Sequence, residues 1–356
     1  MSFTNGGDLL LKKTLAGIIC AACAVALLPL QVAGQAQQEV AATIRSGPAT
    51  FPTASQYAES TRAQEHVAAA MRMAGTDLVA EATAFCTATG PQRPALAARA
   101  AGLTPEPDRQ FEPIRVFENL YYLGFSDVGA WAVATSDGVI LFDALNSADE
   151  ARDIIVPGLQ KVGLDPAQIK DLIIGHGHND HTGGGKYLQD TYGPTVLMGG
   201  PDWDAVLASE RADRPPMKRG LDVTDGQTLT VGDTTVTLML TPGHTPGTIA
   251  MLVPVKHQGE THTALIMSGS QMRTRDSLAT FEHVFNDFAK VQHAETMLGG
   301  HPDILMNKLP QMEALGAQYP TGAHPLLFGP EKFGRYMDIM AECGKSRLAA
   351  LESPAP

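Results

Sequence analysis

The stretch that decides the reading of this chain is His176-Gly177-His178-Asn179-Asp180-His181, with Thr182-Gly183-Gly184 behind it. Four metal-capable side chains fall within six residues, just after the apolar run Leu172-Ile173-Ile174-Gly175. That run is short and β-branched, which predicts a buried strand over 171–175 with the cluster on the loop at its C-terminal end. Neutral imidazole and carboxylate are ligands that suit Zn²⁺ or another first-row divalent ion. The alternate residues His176 and His178 can converge on one ion, while Asp180 and His181 can reach a second beside it. Histidines bonded to backbone in a loop are the plain alternative. Four such residues at this spacing, followed by glycines, favour a metal site.

Two further histidines stand where strand-end loops are expected. His244 lies in Thr241-Pro242-Gly243-His244-Thr245-Pro246-Gly247, a rigid turn that can hold an imidazole with little ordering cost. His301 follows Met297-Leu298-Gly299-Gly300, again a short apolar strand running into a turn. The other histidines beyond the N-terminal region (His66, His257, His262, His283, His293 and His324) have no such setting and are expected on surfaces or helix faces.

Outward from these loops, the pattern is of strands first and then strands alternating with helices. Strands are expected at Ile114–Phe117, Leu120–Gly124, Trp131–Thr135 and Val139–Asp143, with turns at 125–129 and 136–138. A helix at about 148–162 leads to the strand before the cluster. Helices follow at 184–191 and 202–210, around a strand at 195–198. The loop 211–221 precedes strands at 227–231, 234–240, 248–255 and 263–268. A helix at 280–292, a strand near 296–299 and C-terminal helices complete the order. This is an α/β chain of the α+β kind, with two sheets and helices packed outside.

These motifs resemble the metallo-β-lactamase superfamily. The resemblance rests on His176-x-His178-x-Asp180-His181, on Thr-Pro-Gly-His244-Thr-Pro-Gly and on the late His301. It runs from about Asn119 to the end and includes Asp137-Gly138-Val139-Ile140-Leu141-Phe142-Asp143 and Asp225-Gly226-Gln227. It is closest to the dizinc β-lactamases that lack a cysteine ligand. The resemblance implies an αββα sandwich with two Zn²⁺ per chain at one edge. His176, His178 and His244 would hold the first ion, and Asp180, His181 and His301 the second. Asp180 is also the expected catalytic residue, orienting a zinc-bound hydroxide. Hydrolases of the superfamily such as glyoxalase II and the homoserine lactonases place a bridging Asp after the strand corresponding to 263–268. Here that place reads Ser268-Gly269-Ser270-Gln271, with no acid, and the usual Asp-Ser pair of the lactamases is absent too.

Three functions are therefore carried. The first is an exported zinc-dependent hydrolase that opens a cyclic amide, a β-lactamase or close relative able to confer antibiotic resistance. The second is a dizinc hydrolase of lactones or other esters and amides. The third is a non-catalytic metal-binding protein. The partner in the first two is a small molecule, and Ser270, Arg273 and Arg275 are the expected substrate contacts, because an Arg fork suits a carboxylate.

Composition bounds these readings. The chain has 356 residues, a net charge of −12 and no run of Lys or Arg, a poor match to nucleic acid phosphates. Lys12-Lys13, an apolar run of about 15 residues and small residues at Ala33, Gly34 and Ala36 predict a signal peptide over 1–34. The run is short of the roughly 20 residues that cross a bilayer, so no stable membrane anchor is expected after cleavage. A periplasmic or secreted protein follows. Residues 35–110 read as a flexible lead-in and helical extension, with two or three helices broken near Gly75 and Gly90-Pro91, and 111–356 as the main domain. Cys86 and Cys343 remain after cleavage and permit one disulfide or two buried thiols.

Overall fold

Alternating apolar residues on short strands need two faces to bury against, and the chain supplies them as two stacked sheets. The computed structural model describes residues 51–90, 97–99, 101–209, 216–269, 293–302 and 308–353. The expected signal peptide, the lead-in up to residue 50, the helix at 280–292, His283 and the contacts Ser270, Arg273 and Arg275 lie outside the described residues.

The first sheet holds β1 (Ile114–Phe117), β2 (Leu120–Gly124), β3 (Gly129–Thr135), β4 (Gly138–Phe142), β5 (Ile169–Ile173), β6 (Thr195–Met198) and β7 (Leu221–Asp222), in sequence order across the sheet. β1 to β4 form an antiparallel meander, and β4 to β7 run parallel. The second sheet has the order β12-β11-β10-β9-β8, from β8 (Gln227–Val231), β9 (Thr234–Leu240), β10 (Ile249–His257), β11 (Glu260–Met267) and β12 (Thr296–Gly299). Its pairs are antiparallel except β11 with β12.

Between the sheets lie Trp131, Val133, Ile140, Phe142 and Ile173 from the first, with Val236, Leu238, Met251, Val253 and Ile266 from the second. The outer face of the first sheet buries Leu141, Leu172 and Met198 against a helix spanning 148–161 (α4), against α6 (Gly185–Tyr192) and against α7 (Gly200–Ala208). Ser147 caps α4 by accepting from the Glu150 N–H at 3.1 Å, while Glu150 accepts from the Asn146 N–H, a reciprocal cap. A π-helical turn at Ala151–Ile155 interrupts the helix.

The outer face of the second sheet is covered by the N-terminal helices α1 (Ala54–Glu59), α2 (Thr61–Ala74) and α3 (Val79–Phe85) together with the long α9 (Pro330–Glu352). Ala70, Ala74, Leu78, Ala82 and Phe85 pack with Leu252, Leu265, Met297, Tyr336 and Met340. Small alanines on α2 let it approach α9 closely. Each buried Leu, Phe or Met contributes on the order of 1.5–3 kcal/mol. A Cys86–Cys343 disulfide joins the end of α3 to α9. The four layers make the αββα sandwich, and no helix among the described residues is long and apolar enough to cross a membrane.

The structure departs from the sequence expectations in three places. The strand before the cluster ends at Ile173 and not at Gly175. There the chain leaves the first sheet, and the Gly175 carbonyl accepts from Ile249 N–H of the second at 2.7 Å. The expected loop 211–221 ends in the short strand β7, which adds to the parallel edge of the first sheet. His257 and His324 are buried and not surface residues. His324 stacks on Phe117 with ring centroids 4.1 Å apart, so burial of its ring outweighs its polarity.

Candidate metal centre

The chain leaves β5 at the C-terminal ends of the parallel strands, where a loop can hang side chains over the sheet edge. Residues 174–178 cross between the sheets, and a one-turn helix α5 (Asn179–Thr182) follows. The glycines behind it have a steric cause. A Cβ on Gly183 would lie 2.0 Å from the Asn146 backbone, so only glycine lets this turn press against the loop after β4. Three backbone bonds, Ala144 N–H to His181 O, Gly183 N–H to Leu145 O and Gly184 N–H to Ala144 O, lock the two loops together.

The six sequence-selected donors come together as two groups. His176 Nε2 lies 3.0 Å from His178 Nδ1, and His244 Nε2 lies 3.1 Å from the same Nδ1. In the second group, His181 Nε2 and His301 Nε2 are 3.2 Å apart, with Asp180 Oδ2 3.8 Å and 3.5 Å from them. His176 also lies within reach of Asp180 and His181. The donors fit zinc. A tetrahedral ion with Zn–N bonds of about 2.0–2.1 Å has ligand atoms roughly 3.3 Å apart, close to the spacings seen. Imidazole nitrogens brought this near one another are stabilised by a shared cation. Burial first, then the neighbouring His181, His244, His178 and His301, holds the His176 pKa well below the usual imidazole range, which favours the neutral ring that a metal ion would need.

Residues that no sequence pattern singled out hold these rings. Asp143, at the end of β4, has φ 69° and is fully buried. Asp tolerates this left-handed backbone, and the turn aims its carboxylate back at the site. There it accepts from Gly175 N–H at 2.8 Å and from His181 Nδ1–H at 2.8 Å. Ser268, just past β11, lies against His176 and His181. Asp202, in the first turn of α7, accepts from Gly177 N–H, Thr245 Oγ1–H and Gly247 N–H. Burial raises its pKa and these three donors oppose the rise. His301 Nδ1–H donates to the Asp127 carbonyl at 2.7 Å, and Gly129 N–H and the Trp131 indole donate to the carbonyls of Gly300 and Gly299. The β2–β3 loop thus fixes the third ligand loop. Asp143 had a weak signal, a carboxylate ending an apolar strand. Ser268 stood at the turn where the resemblance places an acid in other hydrolases, though its contacts were not legible, and Asp202 had no signal, since it acts through contacts distant in sequence.

Comparison with known proteins agrees with this geometry. Residues 123–256 match the sequence profile of the metallo-beta-lactamase superfamily. A curated relative, the N-acyl homoserine lactonase AttM of Azorhizobium caulinodans, is 31% identical over 183 residues, covering 48% of this chain and 64% of its own. The chain spans less than two thirds of the length of the curated relatives it matches. Among solved structures, a subclass B3 metallo-beta-lactamase of Bradyrhizobium japonicum superposes with a TM-score of 0.52 at 27% identity, covering 64% of this chain and 90% of that one. A metallo-beta-lactamase of Legionella gormanii, at 21% identity and a TM-score of 0.55 over 65% of this chain and 93% of its own, shares the fold.

Proposed function

A metallo-beta-lactamase superfamily domain occupies residues 123–256 of this chain, and from that premise we propose that the protein is an exported, zinc-dependent hydrolase that opens a cyclic amide, with a β-lactam as its substrate. The observation that carries the reading is the convergence of six donors from three loops into two adjacent groups. His176, His178 and His244 would hold one zinc, and Asp180, His181 and His301 the other. Zinc, when bound, supplies Lewis acidity and brings the ionisation of water to about pH 7.

The chain's own residues do the rest. Burial favours the neutral form of His176. The Asp180 carboxylate is about one-fifth exposed, so it can accept a hydrogen bond from the attacking water and orient it. Fixed rings and a fixed carboxylate need no reorganisation as the carbonyl is attacked. Arg273 and Arg275, with Ser270, would receive the carboxylate that common β-lactams carry. The Cys86–Cys343 disulfide supports export to an oxidising compartment.

A second reading, hydrolysis of a lactone, is favoured by the match to AttM. The acid-free run Ser268–Gln271 speaks for the first. Turnover of β-lactams, N-acyl homoserine lactones and aryl esters by the zinc-loaded protein decides between them. Faster hydrolysis of β-lactams is the expected result, and lactone hydrolysis that far exceeds it would install the second reading.

A further inference from the structure

Ser268 stands in the first position after β11 and is buried. Its Oγ lies 2.8 Å from Asp143 Oδ2, 3.0 Å from His181 Nδ1 and 3.1 Å from His176 Nδ1. A hydroxyl has one proton and two lone pairs, whereas an ionised carboxylate only accepts. The Ser268 proton therefore goes to Asp143 Oδ2. The serine oxygen is left as an acceptor facing two imidazole Nδ1 atoms, and the match is made when both carry the proton. A neutral imidazole protonated at Nδ1 presents its lone pair at Nε2. Those are the atoms that face the two donor groups, His176 Nε2 toward His178 and His181 Nε2 toward His301.

We propose that Ser268 is a positioning residue that sets the tautomer of His176 and, sharing the His181 Nδ1–H with Asp143, reinforces that of His181, so that a single hydroxyl couples the two zinc sites. Space for it is built in. A Cβ on Gly175 would lie 2.1 Å from Ser268 Cβ and 2.6 Å from its Oγ, so the residue before His176 must be glycine for the serine to sit there. His181 also has the Asp143 carboxylate on its Nδ1, while His176 is oriented through the serine.

The inference rests on the two-zinc reading above, and its test separates the two. Metal-free wild type and Ser268→Ala are titrated with zinc against a chromophoric chelator. Wild type takes up two ions. In the variant both steps weaken, by about 10–100-fold, the loss that follows removal of a partner behind a metal ligand. Failure of wild type to bind zinc overturns the two-zinc reading. Wild type binding two ions with the variant unchanged, or weakened at one step alone, overturns the role of Ser268 and leaves that reading intact. Long-range ¹H–¹⁵N spectra of histidine-labelled, zinc-loaded wild type give a readout that needs no variant. Protons on Nδ1 of both His176 and His181 are expected, and a proton on Nε2 of either overturns the proposal even where Ser268→Ala does not fold.

Discussion

Gly177 donates its backbone N–H to Asp202 Oδ2 at 2.6 Å, joining the middle of the His176–His181 cluster to the first turn of a helix 25 residues later. The same carboxylate takes the Thr245 hydroxyl at 2.6 Å and the Gly247 N–H at 2.9 Å, both just after His244 in the turn that carries it. One side chain therefore sets the distance between the two loops of the first donor group. In Asp202→Asn an amide N–H₂ must face one of these donors, at a cost of about 1–3 kcal/mol for the group left unpaired. First-site zinc affinity should fall by about tenfold or more, with the second site little changed, as read by stepwise chelator competition. Equal weakening of both sites would show that Asp202 acts on the whole edge.

Metal content offers the most direct check of the centre. Elemental analysis of the zinc-replete protein should approach two ions per chain. His244→Ala should lose mainly the first and Asp180→Ala mainly the second. Folded protein with no bound metal would remove the basis of the functional reading.

His324 predicts a pH dependence away from the metals. Its Nε2–H donates to the Val116 carbonyl at 2.7 Å, and its Nδ1 accepts from Leu326 N–H at 3.2 Å, so the ring is held neutral. Burial, ahead of the other contributions, brings its pKa down to about 4 from 6.5. The unfolded chain thus binds a proton in that window that the folded chain refuses. The stability this contributes is fully present above about pH 6.5 and is lost as pH falls toward 4, up to about 3 kcal/mol. His324→Phe keeps a ring against Phe117 but cannot titrate. Denaturant melts of metal-free protein should show the gap between wild type and variant narrowing from pH 7 to 4.5. A constant gap would mean that His324 does not carry this dependence.

Substrate recognition should divide by charge. Arg273→Ala and Arg275→Ala should raise KM for carboxylate-bearing substrates by removing roughly 1–3 kcal/mol of charged hydrogen bonding. Neutral lactones or aryl esters should be little affected. If neither change separates the two substrate classes, Arg273 and Arg275 do not read the carboxylate.

The disulfide and export can be examined on one preparation. Non-reducing mass mapping should join Cys86 to Cys343, and the N-terminus of the exported protein should fall near Gln35 or Gln37. Cys343→Ser should cost about 2–4 kcal/mol, because the link closes a long loop in the unfolded chain. A reduced pair in exported protein would contradict the structure, and an intact Met1 would contradict cleavage.

The sequence by itself was enough to pick out the six side chains that the structure brings to one edge. Ligand chemistry is local: His-x-His-x-Asp-His on one loop and a histidine inside Pro-Gly turns are visible without a fold. Most strands were equally legible, from alternating burial in β8 and at the start of β9 and from short unbroken apolar runs in β4 and β12. What the sequence left undecided depends on groups far apart in the chain. Whether Cys86 met Cys343 turned on the packing of α3 against α9. His324 looked like a surface residue until β1 supplied Phe117 and a carbonyl to bury it. The partners of Asp143, Asp202 and Ser268 could not be read from the sequence, since a carboxylate or hydroxyl has meaning only through the donors and acceptors around it. Two stacked sheets brought those partners to one edge, and only there did separate histidines become two adjacent groups of oriented donors.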